Sequence, residues 1–242
     1  MFNLIKFNSL DSTNKYALEN IELLKEGDII CADVQNAGRG RFSRKWISDK
    51  KNNCYISIVL KPDLKYRNNF PNLTQYLSLV LCETLKQYNA NPEIKWPNDV
   101  QINGKKISGI LSEVAFSGEQ FKGIVLGIGV NLNLSRTDLN SIDIPATSLN
   151  LEIQKEVDSN IFIESLLQNF FMEYKKLIEN GFSYIRARYL SYCNFIGKDI
   201  TIKNPNPTTL GKAINIAADG SLEILTDNGK TEKIISGDVI LN

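Results

Sequence analysis

Four cationic side chains, Arg39, Arg41, Arg44 and Lys45, fall within the run Gln35-Asn36-Ala37-Gly38-Arg39-Gly40-Arg41-Phe42-Ser43-Arg44-Lys45-Trp46. Arginine presents planar, paired donors that match carboxylate and phosphate oxygens. Gly38 and Gly40 lack a Cβ, so the backbone can turn tightly and approach a ligand. Unpaired like charges at ~4 Å cost about 1 kcal/mol even in bulk water, and more near a protein surface. The run therefore reads as a loop that waits for an anion. A solvated surface loop or a nucleic-acid patch is the plainer alternative. Alternation of glycine with arginine between an apolar strand and a tryptophan favours the ligand.

Three further motifs could carry chemistry. In Lys95-Trp96-Pro97-Asn98-Asp99, proline holds Trp96 extended, and Asn98 and Asp99 turn their oxygens outward. Asp99 beside a polyphosphate would suit Mg²⁺, which takes a few carboxylates, phosphate oxygens and water, although the same residues also make an ordinary turn. In Lys105-Lys106-Ile107-Ser108-Gly109-Ile110-Leu111, a lysine opening a strand can reach a carboxylate or phosphate as a compact charge; solvated hairpin lysines are the plainer reading. Gly127-Ile128-Gly129-Val130-Asn131 offers either close backbone packing or a strand end that presents Asn131.

Composition limits the choices. Lys and Arg number 28 and Asp and Glu 27, a formal net charge of +1, so bulk electrostatics argue for neither nucleic acid nor membrane. The chain has no histidine, which excludes Ser-His-Asp and Cys-His catalysis and histidine-ligated metal. Cys31, Cys54, Cys82 and Cys193 are scattered without metal spacing and read as buried free thiols of a reducing compartment. The opening residues form no signal peptide and no apolar run spans a bilayer, so a cytoplasmic protein is expected.

The elements that must position these residues follow from periodicity. Strands are expected at Asn3–Leu10, Asp28–Val34, Cys54–Leu60, Glu93–Trp96, Val100–Ile102, Lys106–Val114 and Phe121–Val130. Asn103-Gly104 predicts a type I′ hairpin. Ala17, Leu18, Ile21 and Leu24 predict a helix closed by Gly27; helices are also expected around Leu77–Tyr88, over Ile161–Ile178 and near Ser183–Tyr192. Beyond Asn194, turn signals at Pro205-Asn206-Pro207, Asp219-Gly220 and Asp227-Asn228-Gly229 separate short strands and suggest a small β-barrel. The expected organisation is α+β, with a catalytic domain over 1–193 and a β module over 194–242.

In order, Ser12-Thr13-Asn14, the Gln35–Arg41 run, Arg44-Lys45-Trp46, Lys95–Asp99, Lys106–Leu111, Gly129-Val130-Asn131 and Thr147-Ser148-Leu149 resemble the biotin protein ligases over nearly the whole chain. The resemblance implies activation of biotin by ATP as biotinyl-5′-adenylate. Transfer to a lysine of a biotin carboxyl carrier domain of a biotin-dependent carboxylase would follow, with Mg²⁺ assisting. It implies a mixed, mostly antiparallel sheet backed by helices, like that of class II aminoacyl-tRNA synthetases, followed by an SH3-like barrel. By the same resemblance Ser12, Thr13, Asn14 and Gln35 hold the biotin head group. Gly38, Arg39, Gly40, Arg41 and Gly109 enclose its chain and carboxylate. Lys106 bridges that carboxylate and the α-phosphate, with Arg41 as a second catalytic cation. Arg41, Arg44, Trp46, Asn98, Lys106 and Asn131 serve ATP. Asp99 either binds Mg²⁺ or orients the acceptor amine.

Two features of this chain bear on the resemblance. Phe42-Ser43 stands where members of the family often carry Arg-Gly, a change that stiffens or re-aims the loop. Only eleven residues precede Ser12, too few for the helix-turn-helix domain of family members that also repress transcription. A monofunctional enzyme that does not bind DNA is the expectation, with monomer or homodimer open. The rivals are a lipoate or octanoate ligase of related fold and a non-catalytic nucleic-acid-binding module.

Overall fold

β1 (Asn3–Leu10) ends at Ser12, whose hydroxyl accepts from Lys15 N and caps α1 (Thr13–Glu19). Periodicity carried this helix to Gly27, but it stops at Asn20, whose side chain turns back onto Tyr16 O. Ile21 and Leu24 are buried as their spacing implied, yet they lie in turns whose carbonyls accept from Lys61 Nζ at 2.9 and 2.6 Å. Apolar spacing thus located the buried face, and a distant lysine decided the backbone.

β2 (Asp28–Gln35), β3 (Cys54–Leu60), α2 (Asn72–Gln87), β4 (Pro92–Lys95), β5 (Asp99–Ile102), β6 (Lys105–Ser117) and β7 (Gln120–Val130) follow. This computed structural model, which describes residues 2–203 and 208–241, joins them in a seven-stranded sheet of order β1-β2-β3-β7-β6-β5-β4. Only the β1–β2 pair is parallel, so the sheet is mixed and mostly antiparallel, as expected. Asn103 and Gly104 take φ of 52° and 72°, the conformation a type I′ turn requires.

Short helices α3 (Arg136–Leu139) and α4 (Leu149–Ile153) lead to α5 (Ser159–Asn180), which is capped by Asp158 and packs on α2. There Tyr76 Oη donates to Phe170 O at 2.6 Å. The helix expected near Ser183–Tyr192 is divided into a 3₁₀ turn (Phe182–Tyr184) and α6 (Arg186–Leu190). The cysteines are free and buried, and burial pushes the Cys31 thiol up to about 11.

β8 (Asp199–Lys203), β9 (Thr209–Ile216), β10 (Leu222–Leu225), β11 (Thr231–Ile234) and β12 (Asp238–Leu241) form a five-stranded antiparallel sheet of order β11-β10-β9-β8-β12. The expected Pro205-Asn206-Pro207 turn lies outside the described residues. The Asp219-Gly220 turn docks this sheet on the larger one: Asn72 Nδ2 donates to Asp219 O, while Gln75 Nε2 and Trp96 Nε1 donate to Gly220 O at 2.7 and 3.1 Å. One continuous buried cluster runs from Ile29 to Val239 across both sheets. Among the described residues no helix is long and apolar enough to cross a membrane.

Candidate active site

A cleft of about 820 Å³ opens between the large sheet, the 39–45 hairpin and the start of β12. It is lined by Ser12, Thr13, Asn14, Gln35, Arg39, Gly40, Arg41, Arg44, Trp46, Asn98, Asp99, Lys106, Gly109 and Asn131, so the separate sequence motifs converge on one cavity. Gly38 is the exception among the expected site residues. It lies outside the lining, where a side chain would collide with Trp46 O and Ser48 Oγ, so its role here is to let the hairpin base close.

The uncharged end of the cleft is built at the N-terminus of α1. Thr13 N donates to Gln35 Oε1 at 2.8 Å, and Gln35 Nε2 donates to Ser48 Oγ. Ser57 Oγ lies 2.8 Å from Thr13 Oγ1 and 2.5 Å from Asn14 Oδ1, and Thr13 Oγ1 lies 3.2 Å from Gln35 Oε1, so two hydroxyls are chained between two amide oxygens. Asn14 Nδ2 donates to Glu113 Oε2 at 2.9 Å. Ser57, Gly127 and Leu111 lie in one cross-strand row, and a Cβ on Gly127 would strike the Asn14 amide. The bare backbone of Gly127 is what admits Asn14.

Two residues along β7, Gly129 and its cross-strand partner Gly109 form a second row, and the Trp46 ring lies against both. Trp46 Nε1 is a buried donor without a hydrogen-bond partner among the described residues. Lys106 Nζ stands 5.6 Å from the centre of this ring and 2.7 Å from Asp99 Oδ1. That contact is ionic, without hydrogen-bond angles. Buried Asn131 donates from Nδ2 to Thr147 O and holds the chain behind Lys106, whose backbone bonds Pro145 and Thr147.

The basic run is a tight hairpin. Arg39 bridges Lys45, Gly40 N donates to Arg44 O, and Trp46 N donates to Gly38 O. The expectation of mutually repelling, unpartnered cations is corrected here, because the chain supplies its own acceptors. Arg39 Nη2 meets Glu113 Oε1 at 2.7 Å, and Arg44 Nη2 meets Asp238 Oδ2 at 2.6 Å. Arg41 donates to Asn98 Oδ1 at 2.7 Å and to Ser236 Oγ, with Asp238 Oδ1 at 3.8 Å. Burial pulls the Arg41 guanidinium below the usual arginine value, while Asp238 and Asp99 oppose the shift. At the tip, Phe42 and Ser43 hold φ of 55° and 59°, and the Phe42 ring lies 4.8 Å from the Arg41 guanidinium and 5.7 Å from that of Arg44.

Sequence reasoning missed Ser57, Glu113 and Asp238. Ser57 had a signal, a lone serine in the apolar run Cys54–Leu60. The other two depend on strand register and on the docking of the second sheet, and neither leaves a local mark.

Residues 6–131 match the Biotin/lipoate A/B protein ligase family, and residues 195–242 match the Biotin protein ligase C terminal domain. The chain is 34% identical over 241 residues to the bifunctional ligase/repressor BirA of Bacillus subtilis, covering 98% of this chain and 74% of that protein. It is 31% identical to the biotin–[acetyl-CoA-carboxylase] ligase of Paracoccus denitrificans, covering 88% and 90% of the two chains. The structure of a biotin protein ligase from Aquifex aeolicus in complex with biotin and ATP superposes with a TM-score of 0.87 at 29% identity, covering 99% of this chain and 98% of that one. The convergence of the motifs on one cleft, matched at both ends of the chain, places this protein in the biotin protein ligase family.

Proposed function

We propose that the protein condenses biotin with ATP to biotinyl-5′-adenylate, releasing pyrophosphate, and then transfers the biotinyl group to the lysine amine of a carrier domain, releasing AMP. The observation that carries this reading is the division of one cleft into two adjoining halves. One is a polar, uncharged pocket of Ser12, Thr13, Asn14, Gln35 and Ser57; the other is a cationic half built on Lys106, Arg41, Arg44 and Trp46. A ureido ring offers one acceptor and two donors, which such hydroxyl and amide groups can pair. The dithiolane of lipoate could use few of them, and leaving buried polar groups unpaired costs about 1–3 kcal/mol each. That difference favours biotin over lipoate.

In the first step two anions must meet, and the protein's contribution is positioning and charge neutralisation. Lys106 is the cation placed to face the biotin carboxylate and the α-phosphate together; Arg41 and Arg44 would receive the outer phosphates. Trp46, supported by Gly109 and Gly129, offers a ring face and a free N–H to the nucleotide. In the second step Asp99 is placed to receive and orient the incoming amine. No group of three or more carboxylate, thiol or imidazole ligands that could hold a metal occurs among the described residues. Asp99, already against an ammonium, is a single carboxylate, so magnesium would enter with the nucleotide, held mainly by phosphate oxygens and water.

The acceptor has a place to dock. The pairing of β5 with β6 ends at Gly109, and Asn98 bonds both backbone groups of Ile110, so the part of β6 beyond Ile110 runs past β5, with Val114 and Phe116 exposed. An open strand edge accepts an extended segment of a partner. A biotin carboxyl carrier domain presented there, on an enzyme with a class II synthetase-like catalytic domain and an SH3-like C-terminal module, is the arrangement we favour. The test is ATP–pyrophosphate exchange with biotin or lipoate, followed by transfer of labelled biotin to a carrier domain. Exchange with biotin alone supports the reading; exchange with lipoate alone, or none, overturns it.

A further inference from the structure

We propose that Glu113 is a positioning residue that ties the basic hairpin to the polar end of the cleft; the kinetic part of this rests on the biotin-adenylating reading. Glu113 is absent from the cleft lining, yet each of its oxygens holds a residue that belongs to it. Oε1 accepts from Arg39 Nη2 at 2.7 Å, and Oε2 accepts from Asn14 Nδ2 at 2.9 Å. Asn14 is 4% exposed, its Oδ1 faces Ser57, and its Nδ2 donates to Leu111 O at 3.2 Å as well as to Glu113, so Glu113 is the charged member of the set that orients this amide. Arg39 has no other ion pair among the described residues. On the opposite flank the same hairpin is held by Asp238. Glu113 is therefore one of two carboxylates between which the hairpin is suspended, and the one that also sets the head-group pocket.

Glu113→Gln is the appropriate probe, because it keeps the shape and an acceptor for Asn14 while removing the charge that holds Arg39. Pyrophosphate exchange would be measured for the wild type, Glu113→Gln, Arg39→Ala and the double variant. A half-exposed charge pair is worth up to about 1 kcal/mol, so the biotin KM should rise about threefold to fivefold in Glu113→Gln. The ATP KM should rise less than the biotin KM, because Asp238 still holds Arg41 and Arg44, and the effect on biotin should vanish in the Arg39→Ala background. An equal rise in both backgrounds, or no rise, overturns the proposal. Amide exchange of residues 38–46 is the second readout and needs no activity. It should quicken in Glu113→Gln, and unchanged protection would also overturn the tether. If the wild type exchanged no pyrophosphate with biotin, the functional reading would fail while the amide-exchange result still decided the tether.

Discussion

Lys106 Nζ and Asp99 Oδ1 stand 2.7 Å apart, each side chain 18% exposed, so the two residues read from separate motifs as the reacting centre are ion-paired with each other. Register explains it: β5 and β6 are antiparallel neighbours, with Asp99 opposite Gly109 and Gln101 opposite Lys106. The pair compensates the ammonium, which stands 5.6 Å from the centre of the Trp46 ring.

Removing that ammonium should be severe. Lys106→Ala takes away the cation we assign to both reacting anions, and loss of one such stabiliser typically costs about 100-fold or more in rate. Pyrophosphate exchange should fall by that amount, and the thermal midpoint should drop by about 2–4 °C because Asp99 loses its partner. Asp99→Asn should instead spare adenylate formation relative to transfer, so single-turnover transfer from preformed adenylate is the step to time. A Lys106→Ala enzyme within a few-fold of wild type would remove the residue from its role.

The two glycine rows should separate the two substrates. A Cβ on Gly127 meets Asn14, whereas one on Gly129 meets the Trp46 ring. Overpacking of this kind costs about 1–3 kcal/mol, or roughly tenfold or more in affinity when it falls on a binding group. Gly127→Ala should raise the biotin KM selectively, and Gly129→Ala the ATP KM selectively. Isothermal titration with each ligand checks the assignment; parallel losses in both variants would mean a general distortion of β7.

The extent to which the site was legible depends on how locally each residue declares itself. Arg39, Arg41, Lys106 and Asp99 sit in short contiguous motifs, so their chemistry could be read before their positions were known. Asn103-Gly104 dictated its own turn through two positive φ angles. α1 was overextended because burial of Ile21 and Leu24 has helical spacing whether or not the backbone is helical, and the deciding group, Lys61, is far along the chain. Asp238 was invisible for the same reason: it lies 194 residues from Arg44, and the docking of the second sheet, Gly220 on Gln75 and Trp96 included, brings its strand to the cleft.

Asp238 should matter to both stability and nucleotide binding. It faces Arg41, only 19% exposed, and Arg44 together. Asp238→Ala leaves the inner guanidinium short of a partner, at a cost of about 1 kcal/mol, which for a chain of this size lowers the thermal midpoint by about 2–4 °C. Arg41 keeps Asn98 and Ser236, but Arg44 is freed and ATP must then immobilise it at about 0.5–1.5 kcal/mol, so the ATP KM should rise about twofold to tenfold. Denaturation followed by calorimetry and steady-state kinetics measure both effects. A variant with unaltered ATP KM would show that the cations place themselves.

The hairpin tip offers the last test, because its shape is held by a ring where a glycine would have sufficed. Phe42 and Ser43 both lie in the left-handed region, which costs a non-glycine residue about 1–2 kcal/mol. Phe42 offsets part of this by lying between two guanidinium groups, a contact worth about 0.5–1 kcal/mol at an exposed site. Ser43→Gly removes strain but frees the unfolded chain, so its net gain should be only about 0.5 kcal/mol. Ser43→Val, β-branched at a positive φ, should destabilise by more than that gain and speed amide exchange through 39–45. Phe42→Ala should loosen the same amides without touching the cleft floor and should slow adenylate formation at low ATP, since Arg41 and Arg44 lose the ring between them. Equal thermal midpoints for Ser43→Gly and Ser43→Val would mean that the tip does not hold this conformation in solution, and the role of Phe42 would fall with it.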